Sequence, residues 1–153
     1  MKVTVHAVAG KMPRWVEDGA TEYLKRMPRE LQVEFRDVPL GRRGSPEQLR
    51  EEEGRALLRA VPKDAHCVAL DPAGKPWSTE QLARELEGWM MRGQPLSLLI
   101  GGPDGLAPQC LERARQRWSL GPLTLPHPLV RVVLAEQLYR AWTITIGHPY
   151  HRA

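Results

Sequence analysis

Pro95-Leu-Ser-Leu-Leu-Ile-Gly-Gly-Pro-Asp-Gly105 and, further along, Leu120-Gly-Pro-Leu-Thr-Leu-Pro-His-Pro128 are the stretches around which the rest of the chain arranges itself. Leu96 to Ile100 is an apolar run too short for a helix and stopped by two glycines, the pattern of a strand buried on both faces. Gly101 and Gly102 carry no Cβ, so the backbone there can approach a bound molecule closely; the same pair also serves as an ordinary strand-to-helix turn. Leu120 to Pro128 sets three prolines and a glycine among leucines. Such a loop is stiff, apolar and poor in free N–H groups, which suits one face of a flat aromatic ligand.

Working outward, His66-Cys-Val-Ala-Leu70 is a second short apolar run, closed by Asp71-Pro72. In a parallel sheet its carboxyl end lies beside that of Leu96–Ile100, where open α/β sheets bind ligands, so that Leu70 and Asp71 border the Gly101-Gly102 turn. Asp71 equally fits a loop carboxylate or a helix cap. Val3, Val5 and Ala7 alternate with polar residues and predict a strand over residues 2–9, and Leu31–Val38 predicts another, nearer an edge because its second face is charged. Helices are expected after Pro13, from Ser45-Pro46 with Gln48 completing a capping box, from Ser78 with Gln81, from Asp104 or Gly105 through Ala114, and from Pro128 onward. The helix after Ser45 has a thin apolar set and an acidic run, Glu51 to Glu53, that reads as a solvated face. In the last helix, Arg131, Glu136 and Arg140 interrupt an apolar sequence and must be paired or directed into a site. The fold class is therefore α/β, a mostly parallel sheet flanked by helices, in one domain over residues 1–153.

Composition bounds the partners. A net charge of +4 and a pI near 9.4 favour a polyanion without establishing one. Arg42 and Arg43, on a glycine-flanked loop, are candidate phosphate contacts or ordinary exposed arginines. Cys67 and Cys110 fit no CxxC spacing and lie in apolar stretches, as reduced buried thiols do, which points to the cytoplasm. The opening Met1-Lys-Val-Thr-Val-His is a strand alternation rather than a leader, and no apolar run approaches the roughly 20 residues of a membrane helix. His148 and His151 lack a third spaced ligand, so no metal is expected. Phosphate-loop, dinucleotide, zincin and nucleophile-elbow motifs are absent. Gly147-His-Pro-Tyr-His-Arg-Ala153 concentrates rings and imidazoles able to stack on a base and donate to phosphate, or to pack on their own domain.

Leu98-Leu-Ile-Gly-Gly-Pro-Asp-Gly105, Leu123-Thr-Leu-Pro-His-Pro-Leu-Val-Arg131, Glu136-Gln-Leu-Tyr-Arg-Ala-Trp142 and His148-Pro-Tyr-His-Arg152, with Lys11-Met-Pro-Arg-Trp15 and Gly74-Lys-Pro-Trp77, closely resemble the small SPOUT-class methyltransferases of large-subunit ribosomal RNA. The likeness runs along essentially the whole chain. It implies transfer of methyl from S-adenosyl-L-methionine to N3 of a pseudouridine in 23S rRNA of the assembled ribosome, by a homodimer without membrane or metal. It also implies a C-terminal trefoil knot, which no periodicity reveals because threaded chains are rare. Carried over by motif, the cofactor lies against Leu70, Gly102 and the loop Gly121, Pro122, Leu123, Thr124, Leu125 and Pro126, with Asp71 and Gly101 as their neighbours. The same resemblance assigns target handling to His127, Arg140, Tyr150, His151 and Arg152. His151 or His127 is the candidate acceptor of the N3 proton, and Arg140 or Arg152 the candidate for stabilising charge on the ring carbonyls.

Two readings from other classes stay open on the residues alone. A silent RNA-binding α/β module would bind RNA regardless of the cofactor, and a flavodoxin-like small-molecule binder would show no salt-dependent RNA affinity.

Overall fold

In a computed structural model, which describes residues 1–152, the strands β1 (Lys2–Val8), β2 (Gln32–Val38), β3 (His66–Pro76), β4 (Leu96–Ile100) and β5 (Gln116–Ser119) form one sheet in the order β2-β1-β4-β3-β5. Every pairing is parallel. The helices α1 (Arg14–Leu24), α2 (Pro46–Ala60), α3 (Thr79–Arg92), α4 (Pro108–Arg113) and α5 (His127–Thr145) connect and cover it. A 3₁₀ turn, Pro149–Arg152, closes the described chain.

Strand alternation sorts side chains between the two faces. Val3, Val5, Leu96, Leu98 and Val68 face a core completed by Leu82, Leu86 and Trp89 of α3 and Leu134, Leu138 and Ala141 of α5. Cys67 and Leu99 face a smaller core with Leu57 of α2 and Cys110 of α4. All five residues of β4 are buried, as expected of the central strand of a sheet covered on both sides. The capping boxes form as read: Ser45 accepts from the Gln48 N–H and Ser78 from the Gln81 N–H, and each glutamine returns the bond to its serine's backbone.

Three expectations need correction. β3 does not stop at Leu70: it bulges between Leu70 and Lys75 and resumes against β5, the Asp71 carboxylate accepting from the Ala73 N–H where the chain leaves register. The helix expected from Asp104 begins only at Pro108, because Gly105 adopts φ +80° and its N–H closes a turn on the Gly102 carbonyl. The third is β5, a strand that follows that helix where no element is expected from the sequence. Its four residues Gln-Arg-Trp-Ser offer Trp118 as their one large apolar group, too weak an alternation to read beforehand.

Candidate functional site

A cleft of about 890 Å³ opens at the carboxyl ends of β1, β4, β3 and β5, within the size range of small-molecule sites. Two segments make its walls. One is the turn after β4: a Cβ on Gly101 would stand 2.5 Å from the Gly105 carbonyl carbon, and one on Gly102 would stand 3.0 Å from a Val8 methyl and 3.1 Å from Glu53 Oε1. The turn is thus folded on itself as tightly as glycine permits, its backbone bare on the cleft side. The other wall is the loop from Leu120 to Leu125, where Ser119 Oγ takes the Gly121 N–H at 3.1 Å and Gly121 adopts φ +121°.

Leu70, Asp71, Gly101, Gly102, Gly121, Pro122, Leu123, Thr124 and Leu125 all border this cleft, as does His127. Pro126 is not on the wall; it is the N-cap of α5, turning the loop into the helix. His127 Nε2 accepts from Arg131 Nε at 3.0 Å, and Arg131 pairs in turn with Asp37 at the end of β2 while its guanidinium lies 5.3 Å from the centre of the Phe35 ring. Burial, then the neighbouring guanidinium, hold the His127 pKa below its ordinary value, so the ring is neutral near pH 7 with its proton on Nδ1.

The remaining candidates gather elsewhere. Tyr150 donates its hydroxyl to Glu136 Oε2 at 2.7 Å, rests edge-on against Tyr139 at 4.7 Å, and has the Arg140 guanidinium 4.8 Å from its ring centre. Arg140 is bonded to the same Glu136 carboxylate at 2.9 Å. Desolvation and the carboxylate push the Tyr150 phenol up to about 12, so it stays protonated and donating. His151 is half-buried with its Nδ1 unpartnered among the described residues, Arg152 is exposed, and residue 153 lies outside those described. Arg131, Glu136 and Arg140 are therefore all paired. Glu136 lies about 13 Å, and Arg140 about 20 Å, along α5 from His127. No residue of the 3₁₀ turn borders the cleft.

Met12, Leu40, Leu106 and Trp118 also line the cleft and were not anticipated. Beneath Gly102 lies Glu53, 4% exposed, with Oε2 accepting the Gly41 N–H at 2.8 Å and Oε1 unpartnered. The acidic run disguised it, yet Leu49, Glu53 and Leu57 share one helical stripe, and that spacing marks Glu53 as inward. Arg42 and Arg43 are exposed beside this tether. Burial pushes both thiols up to about 11, so Cys67 and Cys110 are unreactive. Among the described residues no helix is long and apolar enough to cross a membrane, and no cluster of metal-ligating side chains occurs.

A parallel sheet with a glycine turn and a proline-bounded loop at its carboxyl ends is a fold that many chemistries share. Residues 1–151, however, match the family model described as "Predicted SPOUT methyltransferase". The chain belongs to the SPOUT methyltransferases. Within that family it is similar to proteins named ribosomal RNA large subunit methyltransferase H from Hahella chejuensis (55% identity, 99% of each chain), Alkalilimnicola ehrlichii (54%, 100% of each) and Stutzerimonas stutzeri (53%, 99% of this chain and 100% of the other). A solved structure, of a methylase family protein from Neisseria gonorrhoeae, superposes with a TM-score of 0.51 at 14% identity over 90% of this chain and 81% of its own. That last likeness concerns the fold alone. This SPOUT methyltransferase is an enzyme that needs a methyl donor.

Proposed function

We propose that the chain transfers methyl from S-adenosyl-L-methionine to N3 of a pseudouridine in 23S rRNA of the assembled ribosome, as one domain acting in the cytoplasm. The observation that carries this is the meeting of Gly101-Gly102 with Gly121–Leu125 across one cleft, in a chain more than half identical to named rRNA large subunit methyltransferases over its length. The residues fit the donor. Backbone groups that no Cβ shields can bond an adenine edge, and Leu70, Leu123 and Leu125 can hold its faces. Bound there, S-adenosyl-L-methionine supplies an electrophilic methyl group on a sulfonium, and the protein's part is to align it with the incoming nitrogen.

The N3 proton must leave as that nitrogen attacks. His127 uses Nε2 to accept from Arg131, which leaves its Nδ1–H as a donor and favours His151 as the proton acceptor. Arg152, or Arg140 on exchanging its Glu136 partner, offsets the charge that develops on the ring carbonyls. Since α5 separates the tail from the cleft of its own chain, a homodimer belongs to this reading: the tail of one copy serves the cleft of the other. Trp15 in the first turn of α1 and Ile146 at the end of α5, both about half exposed, support an apolar contact between copies. The trefoil knot is also part of the proposal, with β5 and the following loop as its site.

Transfer of labelled methyl to ribosomes and to free 23S rRNA, with and without the pseudouridine in place, tests the reading. Label on the pseudouridine-containing ribosome alone is expected; label independent of the pseudouridine, or none, would overturn it. A silent RNA-binding module would bind ribosomes but show no affinity for the donor.

A further inference from the structure

At the opposite end of the sheet, below the amino ends of β3 and β5, a second and strongly polar cleft is lined by Lys63, Arg92, Arg113 and Arg115, with Asp64 and Glu112 as its acidic members. Its excess of two positive charges is half the net charge of the chain. Several surface cations elsewhere are paired, Lys2 and Arg36 with Glu34, Lys25 and Arg26 with Glu22, and Arg55 with Glu51. None of the four cations in this cleft makes an ion pair among the described residues. The floor is fixed: His66 Nε2 and Trp89 Nε1 both bond Gln116 Oε1, at 2.8 and 3.1 Å, while Gln116 Nε2 donates to Glu85 at 3.0 Å. Arg113 is anchored by one nitrogen to the carbonyls of Ala65 and Pro62, at 3.0 and 3.3 Å, which fixes its guanidinium in the cleft wall.

We propose that this cleft is a docking site for the sugar-phosphate backbone of ribosomal RNA, separate from the methyl-transfer cleft and reading no sequence. The inference rests on the rRNA substrate proposed above. Unpaired cations converging on a concave polar floor match a chain of phosphates, since each contact gains from counterion release and from guanidinium geometry. An apolar or basic partner would find no complementary surface there. Four residue steps of β3 from His66 to Leu70 put the two clefts about 13 Å apart. The RNA held here flanks the target nucleotide, and a small enzyme thereby adds affinity for folded rRNA without enlarging its active site.

The test compares the full chain with a triple variant, Lys63→Ala/Arg92→Ala/Arg115→Ala, which spares the anchoring Arg113 and the Gln116 network. The variant is expected to raise KM for ribosomes about tenfold or more at physiological salt and to lower the salt slope of binding by about 2, since each phosphate contact is worth about 0.7–0.9. Thermal unfolding, donor affinity and kcat stay within twofold of the parent. Binding to a protein-free 23S rRNA fragment, read by filter retention, must weaken in parallel, and this arm needs no turnover. An unchanged salt slope, or weaker binding to ribosomes but not to bare rRNA, would overturn the proposal, the latter outcome indicating an acidic protein partner. Absence of turnover in the parent enzyme, with salt-dependent RNA binding that the triple variant loses, would sink the methylation reading and leave this one standing.

Discussion

A Cβ at position 101 would lie 2.5 Å from the backbone of Gly105, a contact that no rotamer change relieves. Gly101→Ala should therefore cost about 1–3 kcal/mol of stability through overpacking and, by opening the turn, weaken donor binding at least tenfold. Chemical denaturation and titration calorimetry check both. Arg131 is almost fully buried and takes its countercharge from Asp37, which keeps over a third of its side chain in water. Asp37→Ala should lower stability by about 2 kcal/mol, below the cost of breaking a wholly buried pair because water can partly replace the carboxylate. A denaturation midpoint unmoved by Asp37→Ala would refute that pairing. Titration adds a third expectation. Burial holds both His6 and His127 below the ordinary value of 6.5, so the folded chain binds fewer protons than the unfolded chain once the pH falls beneath that value. Their contribution to stability is complete above pH 6.5 and is lost on acidification toward the folded pKa values. Urea melts at pH 7.5 and 5.5 should show the loss, and His127→Gln should shrink it; an unchanged difference would assign it to other groups.

At the scale of elements, the capping boxes of α2 and α3 set where each helix leaves the sheet. Ser45→Ala or Ser78→Ala should each cost about 1 kcal/mol and lower Tm by about 2–4 °C, with donor affinity unchanged. These elements were legible because local chemistry wrote them: serine, proline and glutamine at fixed offsets, and in β4 an apolar run between proline and glycines. What was not legible depended on tertiary context. β5 has a single apolar side chain of any size, and it is a strand because β3 resumes pairing beyond its bulge and offers Trp118 and Ser119 partners. The helix over Asp104–Ala107 fails because Gly105 closes a turn, a choice that the helical spacing of Leu106, Cys110 and Leu111 conceals. Glu53 is a milder case: three consecutive glutamates look like a solvated face, and only its position between Leu49 and Leu57 shows that it points inward.

Across the whole molecule, the walls of the cleft were readable as two separate stretches, and the sheet order explains why they meet: β4, β3 and β5 are adjacent and parallel, so the segments leaving them emerge at the same end. The tail motif was readable too, but not its distance from the cleft, which the uninterrupted length of α5 imposes. That distance predicts complementation. A Gly101→Val chain with an intact tail, mixed with a Tyr150→Ala/Arg152→Ala chain with an intact cleft, should recover activity that neither has alone; no recovery in mixed dimers would place tail and cleft of one chain in the same site.

The central claim is that Gly101-Gly102 and Gly121–Leu125 close on one methyl donor, and titration of the purified protein with S-adenosyl-L-methionine tests it most directly. Saturable binding is expected for the parent chain and for Tyr150→Ala, with loss in a folded Gly101→Val variant. No binding by the parent, or equal binding by Gly101→Val, would contradict it.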